Sequence, residues 1–178
     1  MEEKNNHRSG FISIIGNPNV GKSTLLNALV GRELSIISEK AQTTRHRILG
    51  IVNGEDFQMV LSDTPGVIKP AYEMQSSMMN FVKEALVDAD VLIYMVTAEE
   101  SELKDKKLFE RIKKSKAPLF ILINKIDLSS QELVEKTVAH WQSVFPVAKV
   151  CPISALTGFF IPELLNLLIE LLPSSPPY

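Results

Sequence analysis

The chain has 178 residues, 19 Lys and Arg against 21 Asp and Glu, a formal net charge of −2, and 45% apolar and 22% charged residues. These values exclude a disordered or collagen-like chain, and the length suits one core that buries roughly 70% of the unfolded surface. One cysteine and three scattered histidines (His7, His46, His140) exclude an internal disulfide and offer no zinc pattern, and near-neutral charge speaks against strong nucleic-acid binding by this chain alone.

The polar start, Met1–Gly10, has no apolar core of a signal peptide, and residues 1–9 are expected to be flexible. Short apolar runs at Phe11–Ile15, Phe57–Leu61, Val91–Val96, Leu119–Ile123 and Val147–Ile153 are rich in β-branched residues and suit strands covered on both faces. Between them, Lys22–Val30, Gln75–Val87, Glu102–Lys114, Gln131–Val144 and Ile161–Leu172 carry apolar residues at helical spacing. The last puts Leu164, Leu165, Leu168 and Leu172 on one face, with Glu163 and Glu170 off it. One pair breaks the alternation, because only Asn53-Gly54-Glu55-Asp56 separates His46–Val52 from Phe57–Leu61, and Asn-Gly reads as a hairpin turn. The expectation is an α/β, three-layer fold with a six-stranded, mostly parallel sheet and one antiparallel strand. No stretch approaches the roughly 20 apolar residues of a membrane span. The end, Pro173–Tyr178, cannot continue a helix and reads as a linker.

Directly after the first strand stands Gly16-Asn17-Pro18-Asn19-Val20-Gly21-Lys22-Ser23, a G-x-x-x-x-G-K-[ST] loop opening a helix that continues through Thr24. Its glycines let successive N–H groups converge on one oxyanion cluster, and the helix N-terminus adds partial positive charge there. Lys22 is placed to reach the β- and γ-phosphates and Ser23 to offer its hydroxyl to Mg²⁺. The third strand runs into Asp63-Thr64-Pro65-Gly66, about forty positions on, where Asp63 suits a water-mediated Mg²⁺ contact and Gly66 N–H a γ-phosphate contact.

The base is read elsewhere. Asn124-Lys125-Ile126-Asp127 follows the fifth strand, and a carboxylate there accepts both N1–H and N2–H of guanine, whereas adenine would leave Asp127 unpaired. The stem of Lys125 can lie on the base, Asn124 can bridge to the phosphate loop, and Ser154-Ala155-Leu156 can offer N–H groups to guanine O6. Taken singly, the first motif is equally a surface turn and the second a helix cap; at the ends of successive strands they support one another.

In order, GNPNVGKS, Thr43-Thr44, DTPG, NKID and SAL resemble the five motifs of translation-factor-class P-loop GTPases. The segment Lys40-Ala41-Gln42-Thr43-Thr44-Arg45-His46-Arg47-Ile48 resembles switch I of the Era GTPases, and the similarity runs from about Gly10 to the end. It implies a G domain over residues 10–172, with 173–178 leading toward a C-terminal KH domain. It further implies GTP or GDP with Mg²⁺, Thr44 closing over the metal, and a role in small-subunit assembly with 16S ribosomal RNA as partner. The protein is expected to be a cytoplasmic monomer, with peripheral association at the inner membrane, and RNA binding by these residues alone is expected to be weak. Val67 stands where Ras-like enzymes place a water-orienting glutamine, so slow hydrolysis is expected. Asn19 is of the type that, in several related GTPases, accompanies a K⁺ ion beside the phosphates, which would supply the missing positive charge. Lys22, Thr44, Gly66 and Asn19 are thus the expected catalytic group. The alternatives are a related tRNA-modifying or tandem-domain GTPase, or a binding switch with negligible hydrolysis of its own.

Overall fold

In the computed structural model the described residues are 6–17, 19–30, 34–35, 48–63, 86–100 and 106–178. The elements in chain order are β1 (Arg8–Gly16), α1 (Lys22–Val30), β2 (Leu34–Ser35), β3 (Ile48–Asn53), β4 (Phe57–Asp63), β5 (Val91–Thr97), α2 (Lys106–Lys114), β6 (Leu119–Asn124), α3 (Gln131–Val144), β7 (Lys149–Pro152) and α4 (Ile161–Leu171). The strands form one sheet in the order β2-β3-β4-β1-β5-β6-β7. β1 pairs in parallel with β4 and β5, β5 with β6, and β6 with β7, while β3 runs against both β2 and β4.

The expected six strands are all present, with β3 the one antiparallel member. The sheet has a seventh strand that the expectation lacked, the two-residue edge β2, which pairs Leu34 with Val52 and Ser35 with Ile51. Two residues carry no readable period, so pairing with β3 alone defines it. The hairpin forms as expected, but Asn53 pairs with Gln58, and the turn is closed by Gly54 N–H donating to Phe57 O at 2.9 Å.

Alternation along the central strands splits the core in two. Ile12, Ile14, Val91, Ile93, Met95, Phe120 and Leu122 face one side with Leu25 of α1 and Leu164 and Leu168 of α4. Ile15, Leu92, Tyr94, Val96, Ile121 and Ile123 face the other, with Leu108 and Ile112 of α2 and Trp141 of α3. Both faces being covered explains why these strands are apolar at nearly every position. In α4, Leu164 and Leu168 are buried, Leu165 is half-buried and Glu163 and Glu170 are exposed, as its periodicity requires, and Leu172, just past its end, is buried too.

Three boundaries moved. β1 begins at Arg8, inside the segment expected to be flexible, because the C-terminal residues lie along it. Ser9 N–H donates to Pro173 O at 3.1 Å, Ser175 N–H to His7 O at 3.1 Å, and Tyr178 N–H to Gln58 Oε1 at 2.7 Å. The Tyr178 ring packs on Phe11 at 4.9 Å, so Pro173–Tyr178 is docked where a free linker was anticipated. β7 spans Lys149–Pro152, shorter than Val147–Ile153, since Val147 lies in an exposed turn. Of the helix expected over Gln75–Val87, only its end is described, with residues 86–88 helical.

Candidate nucleotide site

β1 is the strand at which chain order reverses, since β2–β4 lie to one side of it and β5–β7 to the other. A loop leaving the carboxyl end of such a strand enters a crevice open to ligand. That loop is Gly16–Gly21, ahead of α1. Gly16 approaches β5 so closely that an added Cβ would lie 2.8 Å from Met95 O and 2.9 Å from the Val20 side chain. Asn19 and Gly21 are left-handed, at φ 66° and 101°. A Cβ on Gly21 would also collide with the Asn124 side-chain amide. The tight curl is therefore both conformationally and sterically specified, and it turns backbone N–H groups toward the N-terminus of α1.

Lys22 is the first residue of α1, and its Nζ donates to Gly16 O at 3.1 Å, which draws the ammonium over the loop it follows. Ser23 and Thr24 are exposed on the first turn of α1, where a hydroxyl can meet a hydrated cation. Asp63 closes β4 in register with Ile14, near the same edge. Ser23 and the backbone of Asp63 thus lie at the end of the sheet from which the phosphate loop leaves, and the Asp63 side chain is outside the described residues. Pro18, Thr44, Thr64, Pro65, Gly66 and Val67 lie outside the described residues. So do residues 36–47, which hold most of the segment resembling switch I, and residues 64–85, which include Met78, Met79 and Phe81.

Two segments distant in sequence are stitched to this loop and to each other. Asn124, the last residue of β6, is 2% exposed; its Nδ2 donates to Val20 O at 2.8 Å and its Oδ1 accepts Ala155 N–H at 3.0 Å. The side chain is thus a strut between the phosphate loop and the loop after β7. Lys125 is left-handed at φ 62°, and its Nζ donates to Asn19 O at 2.6 Å, so its stem spans the gap between the two loops. Asp127 sits in the 3₁₀ turn Ile126–Leu128, exposed, with Oδ1 accepting the Ser154 hydroxyl at 2.8 Å. Ser154 Oγ in turn accepts Thr157 N–H at 3.2 Å, while Ser154 and Ala155 are buried and Leu156 is exposed. One carboxylate oxygen is thus anchored and the group is aimed by the fold, as a base-recognition carboxylate needs to be. Ala155 N–H, expected to face guanine O6, is occupied by Asn124 here, and Ser154 N–H donates to Phe159 O at 3.3 Å.

Two features escaped the sequence reading. Glu100, after β5, accepts Asn17 Nδ2 at 2.9 Å, which ties the phosphate loop to β5. Thr137 of α3 donates to Ala98 O at 2.8 Å and fixes the same turn from behind. Neither residue belongs to a spaced motif, so no pattern marked them. Cys151 is buried in β7, where burial pushes its thiol up from the ordinary range. Among the described residues no cluster of His, Cys, Asp and Glu could hold a metal by itself.

Comparison with known proteins gives this arrangement a family. Over 172 residues the chain is 41% identical to GTPase Era of Clostridium kluyveri, covering 96% of this chain and 59% of that relative. The crystal structure of Era in complex with MgGDPNP and nucleotides 1506–1542 of 16S ribosomal RNA is similar at a TM-score of 0.81 and 37% identity, over 97% of this chain and 59% of that one. A point variant of Aquifex aeolicus Era bound to GDP·AlF4⁻ gives 0.79 and 37%, over 96% and 59%. The chain spans about three-fifths of the length of these relatives. The family model described as 50S ribosome-binding GTPase matches residues 11–125, from within β1 to Lys125 just after β6, and the chain belongs to that family.

Proposed function

We propose that this chain is the nucleotide-binding domain of an Era-type GTPase. It binds GTP and GDP with Mg²⁺, hydrolyses GTP to GDP and phosphate, and serves as a switch in small ribosomal subunit assembly. The observation that carries the reading is the arrangement around Asp127: a carboxylate anchored by Ser154, beside a lysine lying against the phosphate loop and an asparagine strutted to it. These contacts tie the Asp127 turn to the phosphate loop, as a site that takes base and phosphates together requires. In the nucleotide-bound state Ser23 and Asp63 would hold Mg²⁺ with Thr44, and the ion would offset charge on the phosphate oxygens. Lys22 would move from Gly16 O onto the β- and γ-phosphates, and Gly66 N–H would meet the γ-phosphate.

The partner follows from the relatives. The family description names the large ribosomal subunit, whereas the Era complex contains a piece of 16S RNA; similarity at 37% over 97% of the chain favours the small subunit. Residues beyond those matched are needed for the RNA contact, since the net charge here is −2. In this reading 10–172 is the G domain, 173–178 leads to a KH domain, and the protein is a cytoplasmic monomer that can meet the inner membrane peripherally. Because Val67 cannot orient water, turnover by the chain alone is slow. Steady-state phosphate release with Mg²⁺-GTP, with and without small subunits, tests this. Slow but measurable turnover that rises with subunits supports it, and turnover of ATP in place of GTP contradicts it.

A further inference from the structure

Asn17 is the one polar side chain of the phosphate loop turned into the protein, at 7% exposure. Its Nδ2 donates to Glu100 Oε2 at 2.9 Å, while its Oδ1 has no hydrogen-bond partner among the described residues. Glu100 is itself held. Its Oε1 accepts the Thr97 hydroxyl at 3.4 Å, and its N–H donates to Thr97 O at 3.1 Å, which folds the end of β5 into a tight turn. Thr137 of α3 holds that turn through Ala98 O. A half-buried carboxylate whose donors among the described residues are the neutral Asn17 and Thr97 is an unusual choice beside a loop that receives polyphosphate, because its charge opposes the ligand. A glutamine or serine would close the turn without that cost. The carboxylate is explained if its stronger, charge-assisted bond is what fixes the loop.

Resting on the nucleotide-binding reading above, we propose that Glu100 is a positioning residue for the phosphate loop: through Asn17 it holds the loop's second residue against the end of β5, so that the following N–H groups stand ready before nucleotide arrives. Gly16 already lies against Met95 of the same strand, so the loop is seated on β5 at two consecutive residues, once by close packing and once by this bond. Its other side is seated on β6 through Asn124 and Lys125. The β6 contacts are made by the base-recognition motif; the β5 contact is made by a residue outside every motif.

The test is the dissociation constant for a fluorescent GDP across four proteins: parent, Glu100→Ala, Glu100→Gln and Asn17→Ala, with the double alanine variant closing a cycle. Loss of a charge-assisted bond is worth roughly tenfold. Glu100→Ala and Asn17→Ala are expected to weaken GDP binding by about tenfold each, and the double variant by no more than either alone. Glu100→Gln, which keeps an acceptor at the same reach but not its charge, should bind GDP less tightly than the parent and more tightly than Glu100→Ala, and its melting temperature should match the parent's. A residue that merely closes the β5 turn would lower the melting temperature and leave GDP affinity unchanged. Equal GDP affinity in all variants overturns the proposal, as does tighter binding in both Glu100 variants, which would make the carboxylate a repulsive charge, or additive losses in the double variant. Failure of the parent itself to bind GDP overturns the nucleotide reading together with it, so the two failures are told apart.

Discussion

Asn124 does more for this site than its place in a four-residue motif conveys. Replacing it with alanine strands Val20 O and Ala155 N–H, both in buried residues. We expect Asn124→Ala to cost about 2–4 kcal/mol, read from the urea midpoint without nucleotide. Stability equal to the parent would show that the strut is not structural. Tyr94 makes a second prediction. It is fully buried, its hydroxyl has no hydrogen-bond partner among the described residues, and burial first, then the charge of Glu100, pushes its phenol well above the ordinary tyrosine range. The unfolded chain ionises near pH 10 and the folded one does not. Tyr94 therefore favours the folded state below that pH, and this contribution falls as pH rises further. In absorbance titration its phenolate signal should appear only together with unfolding. At this scale the sequence was readable where residues sit in spaced motifs: Asn124, Lys125 and Asp127 converge as expected. Glu100 was not readable, because one carboxylate after a strand has no period and its role depends on where β5 ends beside β1.

Among the elements, the strands were legible because two-sided burial writes continuous apolar runs, and α1, α3 and α4 because their buried positions recur at helical spacing. The edge pieces were not. β2 is too short to carry a pattern, and the C-terminal segment is held by backbone bonds to His7 and Ser9, which any side chain can provide. The docked end covers β1 at the pole opposite the nucleotide loop. Arg8 Nη1, at the same end of β1, donates to Glu170 O of α4 at 2.6 Å and so ties β1 to the helix that leads into the docked end. Ending the chain after Pro173 removes several half-buried hydrogen bonds and the Tyr178–Phe11 contact, each worth about 0.5–1.5 kcal/mol. A loss of about 2 kcal/mol is expected from denaturant melts. An unchanged midpoint would mean that these residues are a linker after all.

At the scale of the whole molecule, the described residues form the sheet with helices on both its faces. The sheet, α3 and α4 hold the base reader and the phosphate loop, while the segments expected to sense the γ-phosphate and to carry Thr44, Gly66 and Val67 lie outside the described residues. The slow hydrolysis proposed from an apolar Val67, and the cation proposed beside Asn19, belong to that assembled state. Turnover of Mg²⁺-GTP is expected to be several-fold faster in K⁺ than in Na⁺ at equal ionic strength, with the difference abolished by Asn19→Ala. Equal rates in both salts would remove the cation from the account. The central claim is narrower: Asp127, held by Ser154, reads guanine. Asp127→Asn presents a donor where the carboxylate stood, which suits the C2 carbonyl of xanthine and repels the guanine amino group. Competition of GDP and XDP for that variant is the most direct measurement. A preference switched from GDP to XDP is the predicted result, and undiminished GDP affinity with no gain for XDP would contradict it.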